Sequence, residues 1–255
     1  MRWESTTGLS AEQLDELVAR CDGLLTEWDK GRGRPRALSF FTAVMVTVAV
    51  LRKNLAQAVV GDFLNTSQST VSKTFRYFRP VVAAVLTEFV PDVATACAGE
   101  IPLVDGTLVP TGNRAGQPEL YSGKQHRTGV NVQVLATTRR RLVALFAPQP
   151  GKTHDAEALR RTDLDKHVDL ADVVGDLGYL GTGIITGVRK PPGRDLTEAE
   201  RKLNKDIVKI RIPVEHVIAQ VKQWQVLATG YRGRLNELPD VIAAVVALEF
   251  FRNEF

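Results

Sequence analysis

Near the start of the chain apolar residues recur at helical spacing, at Leu14, Leu17, Val18, Cys21, Leu24 and Leu25, just behind Ser10 and Gln13. A serine followed three residues later by glutamine forms a capping box, in which each side chain satisfies a backbone N–H that the first turn leaves unpaired. The pattern therefore predicts an amphipathic helix. Gly31-Arg32-Gly33-Arg34-Pro35-Arg36 breaks the periodicity and predicts a linker, because glycine and proline both punctuate helices. Ser39 is placed to cap a second, strongly apolar helix ending near Arg52, and Asn54 to open a shorter one over 55–64. Asn65-Thr66 turns the chain, 67–78 reads as the next helix, and Pro80 with the apolar run Val81 to Phe89 adds another that stops at Pro91. The first hundred residues are thus predicted to be helical.

The texture changes after Gly99. Ile101 to Val104, Val130 to Leu135 and Leu142 to Phe146 are short apolar or β-branched runs separated by turns, and Val173-Val174 and Ile184-Ile185 supply two more. Thr153 begins a helical stretch through Leu164, and Thr197 with Glu200 makes a second capping box ahead of a long charged helix. Pro213 suits the first turn of a further helix, Val214 to Gln225, and Pro239-Asp240 starts a terminal apolar one. Strands alternating with helices imply an α/β core, so the expected division is a helical module at 1–98 and an α/β domain at 99–255. No internal repeat interrupts this plan.

Charge sharpens the picture of the first module. Residues 1–29 carry two basic and seven acidic side chains, whereas residues 30–79 carry nine basic and one acidic. That basic stripe is either a solvated face or a footprint for a polyanion. It coincides with a helix-turn-helix pattern near 54–79, in which Val71, Phe75 and Phe78 at i, i+4 and i+7 should face inward. Gln68, Ser69, Ser72, Lys73 and Arg76 then point outward, types suited to base edges and phosphates; the alternative is an ordinary helical hairpin. Arg32-Gly33-Arg34-Pro35 also matches the core of a minor-groove hook, or is a plain basic linker.

Other classes are disfavoured. Cys21 and Cys97 are far apart with no CxxC partner, so neither a zinc site nor a disulfide framework is suggested. The most apolar run, Phe40 to Leu51, is interrupted by Thr42 and Thr47 and is too short to span a bilayer, and the N-terminus lacks a basic-then-apolar signal region. A cytoplasmic, nucleoid-associated protein with no membrane or small-molecule partner is expected. His126, His154 and His216 have no zinc spacing, so polar surface or phosphate contact is expected of them, and Lys124, His126 and Arg127 are candidate DNA contacts. Gly181, Gly183 and Gly187 read as turns, and Trp224 as a packing residue rather than a base-stacking one.

The remaining chemistry lies in three acids. Asp105 follows the run 101–104 and Asp176 follows Val173-Val174-Gly175, so both are expected at the ends of buried strands, where paired carboxylates can share a hard cation. Glu215, expected in the first turn of a helix, could close the site. Taken singly, an acid after a strand is more often a turn or cap residue; Asp155, for instance, is expected only to help Thr153 start its helix. Seven residues at 100° each place Lys222 within about 20° of Glu215 around a helix, beside any phosphate held there; otherwise it is an exposed lysine.

Val104-Asp105-Gly106-Thr107, the stretch Gly175 to Gly181, and the stretch Arg211 to Lys222 resemble the three catalytic blocks of bacterial insertion-sequence transposases of the insertion-sequence-5 type. The resemblance covers nearly the whole chain, and its third block is the most specific: related enzymes show Tyr-x2-Arg-x3-Glu-x6-Lys, matched by Arg211, Glu215 and Lys222. The tyrosine position is Val208, so any tyrosine role is lost. Gaps of 71 residues from Asp105 to Asp176 and 39 from Asp176 to Glu215 suit a compact catalytic domain. The resemblance implies a ribonuclease-H-like mixed sheet flanked by helices behind an all-α helix-turn-helix module. It also implies a metal-dependent endonuclease and strand transferase using Mg2+ or Mn2+ held by Asp105, Asp176 and Glu215. Lys222 and Arg211 would contact DNA, with terminal inverted repeats and a target duplex as partners and a homodimer on DNA. Two rivals stay open: a decayed or domesticated transposase that only binds DNA, and a nuclease of the same fold without strand transfer.

Overall fold

A computed structural model describes residues 3–25, 36–112, 114 and 116–254. Arg32 to Pro35, the possible hook, lie outside the described residues. The chain forms two compact units, one of Met1–Val90 with Val221–Phe255 and the other of Pro91–Gln220.

The first unit is helical. It contains α1 (Glu4–Thr7), α2 (Ala11–Leu24), α3 (Phe40–Lys53), α4 (Gln57–Phe63) and α5 (Gln68–Val85). The Ser10/Gln13 capping box starts α2 and Ser39 caps α3, as the pattern predicts. Every residue from Ala43 to Leu51 is buried, so α3 is a core helix rather than an amphipathic one. Asn54 does not open α4; it closes α3 in the left-handed conformation and donates its amide to Thr229 and the Gly230 carbonyl. Pro80 does not start a new helix either. It sits on the exposed side of α5, where the carbonyl it orphans can reach water, and the helix runs on to Val85. Between α4 and α5 the chain turns so tightly that a Cβ on Gly61 would lie 2.8 Å from the Thr66 carbonyl oxygen.

The last segment belongs to this unit, not to the α/β one as the 99–255 boundary expects. Buried Trp224 donates its indole N–H to Glu249 at 2.7 Å, Arg252 pairs with the same carboxylate, and buried Arg79 holds Glu237 and Asp240. These long-range polar contacts satisfy groups that the local apolar pattern cannot place.

The second unit begins with α6 (Val93–Cys97) and a five-stranded sheet among the described residues: β1 (Pro102–Pro110), β2 (Tyr121–Ser122), β3 (Arg127–Thr137), β4 (Leu142–Leu145) and β5 (Gln149–Pro150). β3 is the centre, pairing antiparallel with β1 along nine positions and with the other three strands. Beyond β1, Val174 forms a parallel bridge to Leu103 and another to Ile185. The core contains Val104, Leu135, Val143, Leu159, Leu164, Val173 and Tyr179. After β5 come α7 (Asp155–Arg160) and then α8 (Glu198–Val221); the chain ends, in the helical unit, with α9 (Leu238–Glu254). Among the described residues no single helix is long and apolar enough to cross a membrane.

Two expectations fail here in ways that bear on the site. β1 does not end at Asp105: Thr107-Leu108-Val109 continue the ladder, and Asp105 lies mid-strand opposite Val134. Helix α8 does not begin at Val214. It starts at the Thr197/Glu200 capping box and passes through Pro213, so Glu215 lies deep in a 24-residue helix.

Candidate active site

The bridge between Leu103 and Val174 fixes the site's geometry. Asp105 lies two residues beyond Leu103 and Asp176 two beyond Val174, so the acids occupy equivalent positions on adjacent parallel segments. Neighbouring strands run about 4.8 Å apart. Val104 N–H to the Val174 carbonyl and Val174 N–H to the Pro102 carbonyl, both 2.9 Å, hold that alignment. Asp176 then caps the short 3-10 turn Leu177–Tyr179, its Oδ1 accepting the Gly178 N–H at 2.7 Å. The turn role expected of an isolated acid is therefore real for Asp176, and it orients the carboxylate.

Asp105 accepts its own Gly106 N–H through Oδ1 at 2.9 Å, and its Oδ2 lies 3.2 Å from Arg211 Nη2. The Arg211 side chain is only 11% exposed and its Nε is buried without a partner. Arg211 is thus directed at a carboxylate rather than outward. Burial pushes the Asp105 carboxyl up to about 6; Arg211 opposes this, while the Asp176 and Asp155 carboxylates add to it and the Gly106 N–H opposes it.

Because α8 is continuous, Arg211 settles its phase. Glu215, at i+4, shares the helical face that Arg211 presents to Asp105 and lies about 6 Å farther along the axis. Glu215 is itself exposed, and among the described residues no three His, Cys, Asp or Glu side chains gather as metal ligands. Lys222 falls one residue past the end of α8, so ideal helical phase cannot be carried to it. Val208 is exposed on α8.

Asp155 was missed as part of this cluster. It starts α7, but its carboxylate caps nothing there; Oδ1 accepts from Asn131 Nδ2 at 2.9 Å and Oδ2 lies 3.3 Å from Lys124 Nζ. A Cβ on Gly106 would sit 2.2 Å from Asp155 Oδ1, so the missing side chain beside Asp105 is what admits Asp155. Behind it runs a polar chain: Asn131 Oδ1 accepts from Gln133 Nε2 at 2.9 Å, and Gln133 Oε1 accepts from Tyr179 Oη at 2.5 Å. Burial, with the nearby carboxylates, raises the Tyr179 phenol well above its ordinary value and keeps it a donor. No local signal marks Asp155, since its partners lie 24 and 31 residues back in sequence.

In the helical unit Val71, Phe75 and Phe78 are buried, and Gln68, Ser69, Lys73 and Arg76 are exposed with Ser72 half-buried. His126, His154 and His216 are exposed, and Trp224 is fully buried.

Two oxygen-bearing acids on adjacent parallel segments, crowded enough to draw in a buried guanidinium, fit a hard divalent cation better than any organic group. Such a centre on an α/β scaffold is suited to phosphodiester chemistry. The chain belongs to the DDE superfamily endonucleases, whose family model matches residues 104–249. It is 29% identical over 227 residues to a putative transposase for insertion sequence element IS112 of Streptomyces albus G, covering 87% of this chain and 83% of that one. It is 26% identical over 126 residues to a probable transposase for insertion sequence element IS702 of Microchaete diplosiphon, covering 48% of this chain and 45% of that one. No solved structure matches. Members of this endonuclease family generally use divalent metal ions.

Proposed function

We propose that this protein is a transposase of the insertion-sequence-5 type that nicks the ends of its element and joins the freed 3′-hydroxyl to target DNA. The observation that carries the reading is the equal offset of Asp105 and Asp176 from the Leu103/Val174 bridge, with Arg211 drawn onto Asp105. In this reading the second unit is a ribonuclease-H-like catalytic domain. Asp105 and Asp176 hold Mg2+ or Mn2+, and Glu215 completes the set from the face of α8 that Arg211 defines. Such ions, when bound by these residues, would supply charge that stabilises the entering and leaving oxygens of the displacement.

The chain's own residues do the rest. The capping bond from Gly178 orients Asp176, and the Gly106 N–H orients Asp105. Arg211 neutralises Asp105 through one contact, so a cation can displace it. Lys222 neutralises backbone phosphate. In the helical unit, α4 and α5 act as a helix-turn-helix, with Gln68, Ser69 and Ser72 reading base edges in the terminal inverted repeats and Lys73 and Arg76 holding phosphates. Strand transfer exchanges one phosphodiester for another, so no nucleotide triphosphate is consumed. A homodimer on DNA brings two element ends together, at the nucleoid.

The test incubates the protein with Mg2+, a labelled element end and a plasmid target, beside Asp105→Asn. Nicking at the element end and joined product, both lost in the variant, are expected. Cleavage that persists in the variant overturns the acid assignment; nicking without joining leaves a nuclease, and binding without nicking leaves a DNA-binding protein.

A further inference from the structure

We propose that Lys124 is a phosphate-contacting residue of this site and that Asp155 is its positioning residue. The inference rests on the reading that the site handles a DNA backbone. Lys124 lines a cleft of about 200 Å3 together with Gly106, Asn131, Lys152, His154 and Asp155. Gly106 directly follows Asp105, so the cleft abuts the backbone of the acid centre.

The geometry separates Lys124 from an ordinary surface lysine. Its side chain is 70% exposed, whereas that of its partner Asp155 is 12% exposed and fixed from behind by Asn131. Asn131 is fixed in turn through Gln133 and Tyr179, which are 1% and 0% exposed. A flexible lysine is thus tethered to a rigid base. An ammonium has three donors, and the 3.3 Å contact to Asp155 engages one, leaving two for a phosphate oxygen. The field at Lys124 also comes from the acid centre: desolvation lowers its pKa, but Asp155, Asp176 and Asp105 together raise it above the ordinary value. The ammonium therefore lies within electrostatic reach of the proposed metal-binding carboxylates. A phosphate entering between them and Lys124 would meet positive charge on the cleft side, to which Lys152 adds a second cation.

Two measurements test this. The first is binding to a random-sequence duplex in EDTA as a function of salt, for wild type, Lys124→Gln and Lys124→Arg. One lost phosphate contact lowers the slope of log affinity against log salt by about 0.9. That fall in Lys124→Gln, with recovery in Lys124→Arg, is expected. An unchanged slope in a folded Lys124→Gln protein overturns the Lys124 assignment alone, whereas no DNA binding by wild type overturns this inference and the reading beneath it.

The second measurement is cleavage of a labelled element end in a double-mutant cycle. Lys124→Gln should slow turnover about tenfold, and Asp155→Asn should lower kcat by a similar factor without raising KM while leaving the salt slope intact. In the Lys124→Gln background Asp155→Asn should cost nothing more, because Asp155 acts through Lys124. Additive losses, or Asp155→Asn at wild-type rate, overturn the positioning role.

Discussion

Asp105→Asn should make the metal-free protein more stable at neutral pH while destroying its activity. The carboxyl is pushed up to about 6 from an ordinary 3.8, chiefly by burial, and its side chain is 17% exposed. A raised acid favours the protonated form in the folded state. Its contribution to stability is therefore complete below about pH 3.8 and is lost as pH rises through 6. Two units correspond to roughly 3 kcal/mol of strain at neutral pH. Asparagine fixes the neutral form and relieves that strain, and the loss of Arg211's charged partner is already contained in the net shift, because Arg211 is what holds the carboxyl from rising further. The gain should be about 2–3 kcal/mol near neutrality. Urea titrations in EDTA should therefore show a higher midpoint for the variant near pH 7.5 and a gap that closes or reverses toward pH 4. Mg2+ should raise the wild-type midpoint and leave the variant's in place, since a ligand stabilises only the state that binds it. A variant that is no more stable than wild type near pH 7.5 would refute the reasoning that burial and crowding leave Asp105 under-neutralised.

Three further outcomes follow from the packing. Gly106→Ala should cost about 1–3 kcal/mol in thermal unfolding and reduce cleavage, because the new methyl meets Asp155 Oδ1 at 2.2 Å and Gln133 Nε2 at 3.0 Å. Tyr179→Phe should cost about 1–2 kcal/mol by leaving Gln133 Oε1 buried without its donor, and an unchanged melting temperature would remove the polar chain from the argument. Cys21 and Cys97 are 0% and 6% exposed, and burial pushes the Cys21 thiol up to about 12, so an aromatic disulfide reagent should label neither in the native protein and both in urea.

Most elements were legible because their signals are local. The Ser10/Gln13 and Thr197/Glu200 boxes start their helices as read, and the inward set Val71, Phe75 and Phe78 follows from a period of 3.6. The misreadings share a cause. Asp105, ahead of a glycine, looks like a strand end and Pro213 looks like a helix start, because each residue type has that local preference, but longer pairings override it. β3 continues the ladder to Pro110, and the Thr197/Glu200 box starts α8 sixteen residues before Pro213. The Asp155, Asn131, Gln133 and Tyr179 chain spans up to 46 residues per bond and leaves no periodic trace.

The Arg211 to Asp105 pair, 106 residues apart, was equally invisible, yet it does more to orient the proposed site than any motif spacing. Helical phase counted from Glu215 to Lys222 weakens once α8 ends at Val221. Counted backward from Glu215 it holds, since Arg211 lies inside the helix and touches Asp105. A single 3.2 Å contact with Nε left buried and unbonded is a poor way to bury a guanidinium, as that donor stays desolvated. In the proposed reading this pairing holds the carboxylate in place and yields to a divalent cation when one binds. In that same reading Arg211 stands in for the charge of a bound cation, and Glu215, one turn along the same face of α8, is the third ligand it implies.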